Sequence, residues 1–348
     1  MNPYILTVFL FGLGLGTTIT FASSHWLLAW MGLEINTLAI LPLMCQSHHP
    51  RAVEATTKYF LTQATAAAML LFASITNAWI TGQWGLELMN EPLPTTLITM
   101  ALALKIGLAP LHAWMPEVLQ GLDLTTGLIL STWQKLAPFC LLLQINNPNT
   151  ALLLTLGLAS TLVGGWGGLN QNQLRKILAY SSIAHLGWMI LILQFLPPLT
   201  LLTLLLYFIM TFSLFISFKV NNASSINSLA SSWSKTPVIS SVLPLVLLSL
   251  GGLPPLSGFM PKWLILQELA KQELAPLATL AALSALLSLY FYLRISYAMT
   301  LTMTPNILIN TLPWRLSSNQ HTLPLAFTTS ITICLLPLTP ATIALLTF

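Results

Sequence analysis

The chain is built from apolar runs of about 20 residues divided by short polar breaks, and this constrains its fold more than any other property. A run of that length, coiled as a helix, matches a hydrocarbon core of about 30 Å. Of the 348 residues 55% are hydrophobic and 6% charged, where a soluble domain carries about 25% charged residues. Folding as a soluble globule is excluded.

Windows of about 19 residues place spans near 3–22, 25–45, 57–80, 95–121, 125–145, 150–169, 175–195, 199–219, 237–273, 275–298 and 323–347. The expected fold is therefore all-α: a polytopic membrane protein of about 11 transmembrane helices in one membrane domain over residues 1–348. The fourth and ninth spans are too long for one straight helix and contain proline and glycine, so they are expected to be broken. Arg51, Lys58, Arg175, Lys176, Lys219, Lys235, Arg294 and Arg315 collect on one side, while the loop at 81–94 carries Glu87 and Glu91. By the positive-inside rule the N-terminus faces the matrix or cytoplasm and the C-terminus faces away. This basic excess is spread over loops, so it sets topology and is not a nucleic-acid surface.

The polar stretch NNASSINSLASSWSKT, 221–236, reads as a surface loop and the best internal boundary. Its Asn222-Ala-Ser224 sequon falls on the inner side, where glycosylation is not expected. Cys45, Cys140 and Cys334 are far apart and form neither a disulfide framework nor a CxxC site, so they read as small core hydrophobes. The chain opens MNPYILTVFLFGLG without a basic leader or cleavage site, which predicts a retained first helix. It also lacks an Arg-rich transit sequence; if it works in an organelle, synthesis there is expected. Gly12, Gly14 and Gly16, with Gly164, Gly165, Gly167 and Gly168, read as close-packing helix surfaces, since no strand precedes them as in a nucleotide loop.

GLAPLHAWMPE at 107–117 reappears as GLPPLSGFMPK at 252–262. Each copy has a proline (Pro110, Pro255), an aromatic (Trp114, Phe259), then Met-Pro and an ionisable residue (Glu117, Lys262). A broken helix leaves backbone groups unpaired at membrane depth, where only water, an ion or protein can satisfy them. Paired interruptions in two halves of such a chain point to a translocation site. The expected repeats are approximately 1–145 and 150–298, pseudo-symmetric and inverted, followed by a loop and a C-terminal helix over 299–348.

Glu34, Lys105 and Lys135 lie inside apolar runs. A charge at the bilayer centre costs roughly 3 kcal/mol on insertion scales, so these groups must be paired, hydrated or neutral. Low dielectric favours the neutral form of such a group and an opposite charge favours the ionised form, so movement of Glu34 relative to a lysine would switch that lysine between holding and releasing a proton. A static ion pair that fixes helix packing is the alternative. Pro138, three residues after Lys135, leaves the Gln134 carbonyl open to water. His185, one turn after Ser181 and Ser182, suits either a proton bridge or a hydrogen-bonded structural histidine. Lys262 belongs either in a cavity at the second break or at the outer interface. His112 sits in the first break, where carbonyls can bind it. Lys58, with Arg51 and Glu54, marks a span entrance and is the one of the three that could reach inward. Glu268, Lys271 and Glu273 read as an interface cluster.

GLEINTLAILP (32–42), KIGLAPLHAWMPEVLQG (105–121), TWQKLAP (132–138), GLNQNQLRKILAYSSIAHLGWM (168–189) and GGLPPLSGFMPKW (251–263), in this order and spacing, resemble the antiporter-like membrane subunits of respiratory NADH:ubiquinone oxidoreductase, complex I. The resemblance covers almost the whole chain and is weakest after about residue 300. It implies a proton-translocating subunit in which Glu34 pairs with Lys105 on the broken helix, Lys135 connects the halves, His185 lies on the polar axis and Lys262 serves the second half-channel. It implies the mitochondrial inner membrane, with other membrane subunits, accessory subunits and lipids as partners. It places NADH, flavin, iron–sulfur clusters and ubiquinone on other subunits and no cofactor or metal on this chain. Larger family members have about three further N-terminal helices, and the second half here has no counterpart of Glu34. The competing expectations are an independent cation/proton antiporter and a structural membrane scaffold.

Overall fold

Prolines and glycines set many of the helix ends. In a computed structural model, which describes residues 2–46, 49–86, 89, 91–145, 148–234, 236–301 and 323–347, the described helices are α1 (Pro3–Ala22), α2 (Trp26–Met44), α3 (Pro50–Thr81), α4 (Pro92–Ile106), α5 (Trp114–Gly121), α6 (Leu124–Ser131), α7 (Trp133–Gln144), α8 (Thr150–Gly168), α9 (Leu174–Ile192), α10 (Pro197–Val220), α11 (Ile226–Ala230), α12 (Pro237–Gly251), α13 (Phe259–Lys271), α14 (Ala275–Thr300), α15 (Leu323–Cys334) and α16 (Thr339–Thr347). Proline begins α1, α3, α4, α10 and α12, where a missing N–H leaves nothing unpaired. Gly107 and Gly252, at φ 87° and 81°, end α4 and α12 in the left-handed region that glycine adopts without strain. Glu87, Lys235 and Arg315, used above to orient the chain, lie outside the described residues.

The described residues contain seven helices long and apolar enough to cross a membrane, with α6 and α7 taken together as one, or eight if the bent α15–α16 pair is one span. The chain is thus an all-helical polytopic membrane protein. It divides into two compact units, Met1–Gly157 and Leu158–Phe348. In the first, α2 packs on α1 where both lack side chains: a Cβ on Gly32 would lie 2.6 Å from Thr20 Cγ2 and 2.9 Å from the Gly16 carbonyl. In the second, Gly164 admits the Ala184 backbone and Gly168 the Phe291 ring. Gly14 departs from the expected packing role, since a Cβ there meets nothing within 4 Å.

Four features differ from expectation. The division of units falls within α8, not at 221–236. That stretch is pinned inside the second unit: the Leu174 amide donates to the Ser224 carbonyl at 3.2 Å, the Ile226 amide to that of Asn172 at 3.2 Å, and Ser225 with Ser228 forms the capping box of α11. The third span begins seven residues early, at Pro50, where His49 caps it. The fifth is interrupted at Thr132, because the Leu128 carbonyl accepts both the Ser131 and Thr132 hydroxyls as well as the Thr132 amide, a back-bonding pattern that bends helices. The last is bent by 68° between α15 and α16, where Pro337 removes a helix donor.

The two broken helices match beyond the motif seen in sequence. Pro92 and Pro237, Gly107 and Gly252, and Trp114 and Phe259 occupy the same structural positions, each pair 145 residues apart, and α4 and α12 are both 15 residues long.

Candidate functional site

The first break leaves the last carbonyls of α4 without helical donors. The amides of Gly107 and Leu108 both donate to the Ala103 carbonyl, each at 2.9 Å. The Trp114 indole donates to the Leu104 carbonyl at 3.1 Å, and the Gln63 amide approaches the Lys105 carbonyl at 3.5 Å. Neutral side chains therefore close this helix end, and the Lys105 ammonium is not used as a cap.

Lys105 Nζ instead lies 3.5 Å from Glu34 Oε1, with side chains 2% and 24% exposed. Glu34 Oε2 is 3.4 Å from the Thr37 hydroxyl. Two charges at membrane depth cost roughly 6 kcal/mol together on insertion scales, while their attraction near 4 Å at an effective dielectric of 20 is about 4 kcal/mol. The attraction offsets a large part of that cost.

A cavity of ≈ 20 Å³ adjoins this pair, its polar wall formed by Asn36, Thr37, Gln63, Lys105, Gln134 and Lys135. It is large enough for ordered water. Lys135, 3% exposed on α7 just past the Thr132 interruption, shares that wall with Lys105. The amides of Asn36, Gln63 and Gln134 were not among the residues singled out from sequence. The signal that could have found them is an uncharged amide inside an apolar helix, next to Glu34 or Lys135, where a polar group needs a partner.

At the second break, Leu248 repeats the arrangement of Ala103: its carbonyl accepts from the Gly252 and Leu253 amides at 3.1 and 3.3 Å. Phe259 stands where Trp114 does and has no N–H to donate. Here Lys262 does the capping, its Nζ donating to the Gly251 carbonyl at 2.7 Å and to that of Leu250 at 3.4 Å. Leu250 is the positional counterpart of Lys105. An ammonium at a helix C-terminus is also favoured by the macrodipole. Among the described residues no carboxylate forms an ion pair with it.

His185, on α9, is 5.6 Å from Tyr207 ring to ring. Ser181 and Ser182 point their hydroxyls back to the Leu178 and Ala179 carbonyls. His112 Nδ1 is 3.2 Å from the Pro110 carbonyl within the first break. Lys58 is not in the cavity wall. It bridges Glu54 and Glu117 at 2.8 and 2.7 Å with its side chain 42% exposed, where solvent screens the attraction. Lys271 pairs with Glu268 at 3.3 Å. Among the described residues no three His, Cys, Asp or Glu side chains gather as a metal site.

A lysine paired to a glutamate beside a broken membrane helix, with a second buried lysine across a small polar cavity, defines an antiporter-like membrane protein. The family described as NADH:quinone oxidoreductase/Mrp antiporter, TM, matches residues 23–288, and that described as NADH dehydrogenase subunit 2 C-terminus matches 289–343. The chain belongs to the NADH-ubiquinone oxidoreductase chain 2 family. It is 74% identical over 345 residues to the protein of that name from Tetraodon nigroviridis, covering 99% of each. It is 69% identical over 347 residues to that of Oncorhynchus mykiss, again covering 99% of each. A chain in the structure of respiratory complex I from Thermus thermophilus with bound aureothin superimposes with a TM-score of 0.88 at 28% identity, over 98% of this chain and 80% of that one.

Proposed function

We propose that the chain is a membrane subunit of NADH:ubiquinone oxidoreductase that moves protons through buried lysines while the redox chemistry takes place on other subunits. The observation that carries this reading is the Lys105–Glu34 contact at 3.5 Å beside a cavity that Lys105 shares with Lys135. With Glu34 close, Lys105 keeps its proton. When Glu34 withdraws, the buried ammonium loses its compensation and passes the proton into the cavity toward Lys135. His185 and Lys262 continue the relay in the second unit. Electron transfer acts on this chain only by shifting Glu34 or its surroundings, so NADH, flavin, iron–sulfur clusters and ubiquinone belong to neighbouring subunits.

The reading includes eleven crossings: the seven long helices, α9, the two broken helices and the bent C-terminal pair. The broken spans are then the fourth and ninth, an odd number of crossings apart, as inverted repeats require. The location is the mitochondrial inner membrane, N-terminus toward the matrix and C-terminus toward the intermembrane space, among other membrane subunits, accessory subunits and lipid. In the assembled complex, Lys135→Ala should leave assembly intact and abolish the turnover that depends on pumping. A normal proton-to-electron ratio in that variant overturns the reading.

A further inference from the structure

A short clasp ties the start of α2 to the segment that leads into α4. The Trp26 amide donates to the Trp84 carbonyl and the Leu86 amide to the Ser24 carbonyl, each at 3.1 Å, which pairs His25 with Gly85 as an isolated antiparallel bridge. Trp26 and Leu86 are buried beneath it. His25 completes the clasp in two directions. Its ring stacks on that of Trp84, with centroids 5.4 Å apart and planes 8° from parallel, and its Nδ1 accepts from the Leu27 amide at 3.2 Å, which caps α2.

The two helices that start at this clasp hold the two members of the buried pair: Glu34 is on α2 and Lys105 on α4. A slip of α2 by one residue moves its side chains by about 1.5 Å along the axis and turns them by about 100°. The 3.5 Å contact between Lys105 and Glu34 does not survive such a slip.

The second unit has a clasp of the same kind with a different fastener. Its bridge pairs Gln173 with Ser225. Gln173, the N-cap of α9, makes no side-chain cap bond, and Arg294 secures the loop instead, donating to the Leu169 carbonyl at 2.7 Å and to Asn172 Oδ1 at 2.5 Å. Arginine stays charged in proteins, whereas histidine is the side chain that changes charge between pH 5 and 8. The two partners of the His25 ring also have opposite preferences. Nδ1 can accept from Leu27 only while it is unprotonated, and a cation at a helix start is opposed by the macrodipole; the face of Trp84 attracts a protonated ring. Protonation therefore frees the first turn of α2 and leaves the ring on Trp84. Among the described residues no charged side chain pairs with His25, and Glu91, the other titratable group described beside the clasp, forms no ion pair and no side-chain cap.

We propose that His25 is a positioning residue whose uncharged ring caps α2 against Trp84 and keeps Glu34 in register with Lys105, so that acid on the outer side, by protonating the ring, slows turnover. This rests on the reading of the Lys105–Glu34 pair as the control contact and on the topology that puts the loop at 81–94 on the intermembrane side.

The test uses the assembled complex in proteoliposomes whose lumen meets that side, with initial NADH oxidation followed at lumenal pH from about 5.5 to 7.5. His25→Asn keeps a capping acceptor that does not titrate. It should match the parent at neutral pH and lack the parent's fall of about fivefold at the acid end, the equilibrium factor of one N-cap bond. His25→Ala, without an acceptor, should be about fivefold slower at neutral pH. An acid limb in His25→Asn that coincides with the parent's overturns the proposal, and so does a parental rate in His25→Ala. Lys105→Met separates the two layers. If it abolishes turnover while His25→Asn follows the parent's acid limb, the clasp role is wrong and the control pair stands. If it leaves turnover unchanged, the reading beneath the proposal is wrong as well.

Discussion

The two breaks share a backbone and differ in who closes the helix. In the first unit neutral donors, Trp114 and Gln63, meet the terminal carbonyls, and Lys105 turns its charge to Glu34. In the second, Phe259 cannot donate and Lys262 is bound to the helix end itself. The ammonium therefore sits near the same helix terminus in both, but it arrives from opposite sides of the break. Its counter-charge is a side-chain carboxylate in one case and backbone dipoles in the other. On the proposed reading, the first arrangement is switched by moving a side chain and the second by breaking hydrogen bonds to the backbone. The two breaks thus differ in the partner of their lysine, a carboxylate in the first and backbone carbonyls in the second.

The largest effect that could break this comparison comes from Lys105→Met. Removing one member of a buried pair strands Glu34, which costs roughly 3–5 kcal/mol, and losing a proton carrier should lower turnover by about 10²–10⁴, read as NADH oxidation coupled to pumping. An unaffected rate would place control elsewhere. Next is Lys262→Met, which uncaps Leu250 and Gly251 and should lower stability by about 1–3 kcal/mol in a thermal melt of the complex. Lys262→Arg should restore the melt, because it can still donate to those carbonyls, but not the pumping, because arginine does not release its proton.

Trp114→Phe gives the first break the aromatic of the second. It leaves the Leu104 carbonyl open at a cost of about 1–3 kcal/mol. If Lys105 then turns to cap that carbonyl, turnover should fall although both charges of the pair remain, and a rate equal to the parent's would show that the capping partner does not matter. Gly252→Ala is smaller, about 1–2 kcal/mol, since alanine at φ 81° is strained and its Cβ would lie 2.8 Å from Lys262 Cδ. The smallest effect belongs to Lys58→Met, whose exposed pairs are screened by solvent: an unchanged thermal melt and unchanged turnover. A loss of pumping there would move the entrance of the path to the Glu54–Lys58–Glu117 triad.

Much of this was legible because expensive features are visible in sequence. An ionisable residue inside an apolar run, such as Glu34, Lys105 or Lys135, stands out by its cost, and a proline–glycine break is conspicuous when it occurs twice. Helix existence was legible for the same reason, since long apolar runs have few alternatives in lipid. The bends at Thr132 and Pro337 were not, because hydropathy windows average over a hydroxyl that competes for one carbonyl and over a proline near a helix end. The ordering of 224–228 was hidden because serines read as loop until their capping partners are placed opposite them. Asn36 escaped because an uncharged amide stands out little, and because its burial against Gly16 involves a residue on another helix. The exchange of roles between Trp114 and Lys262 was equally hidden: both motif copies were aligned, but which donor meets which carbonyl is a matter of reach.

The constant 145-residue offset has a practical meaning for ancestry and for engineering. From Pro92 to Glu117 and from Pro237 to Lys262, neither copy has gained or lost a residue relative to the other, although half of the break motif has diverged. Such a record fits a duplicated segment in which length was kept and chemistry was free to drift. The two segments are therefore cassettes of equal size. Transplanting 252–262 into 107–117 needs no linker, and a chimera of that kind would carry its amine on both flanks of one break, a state that neither natural copy samples.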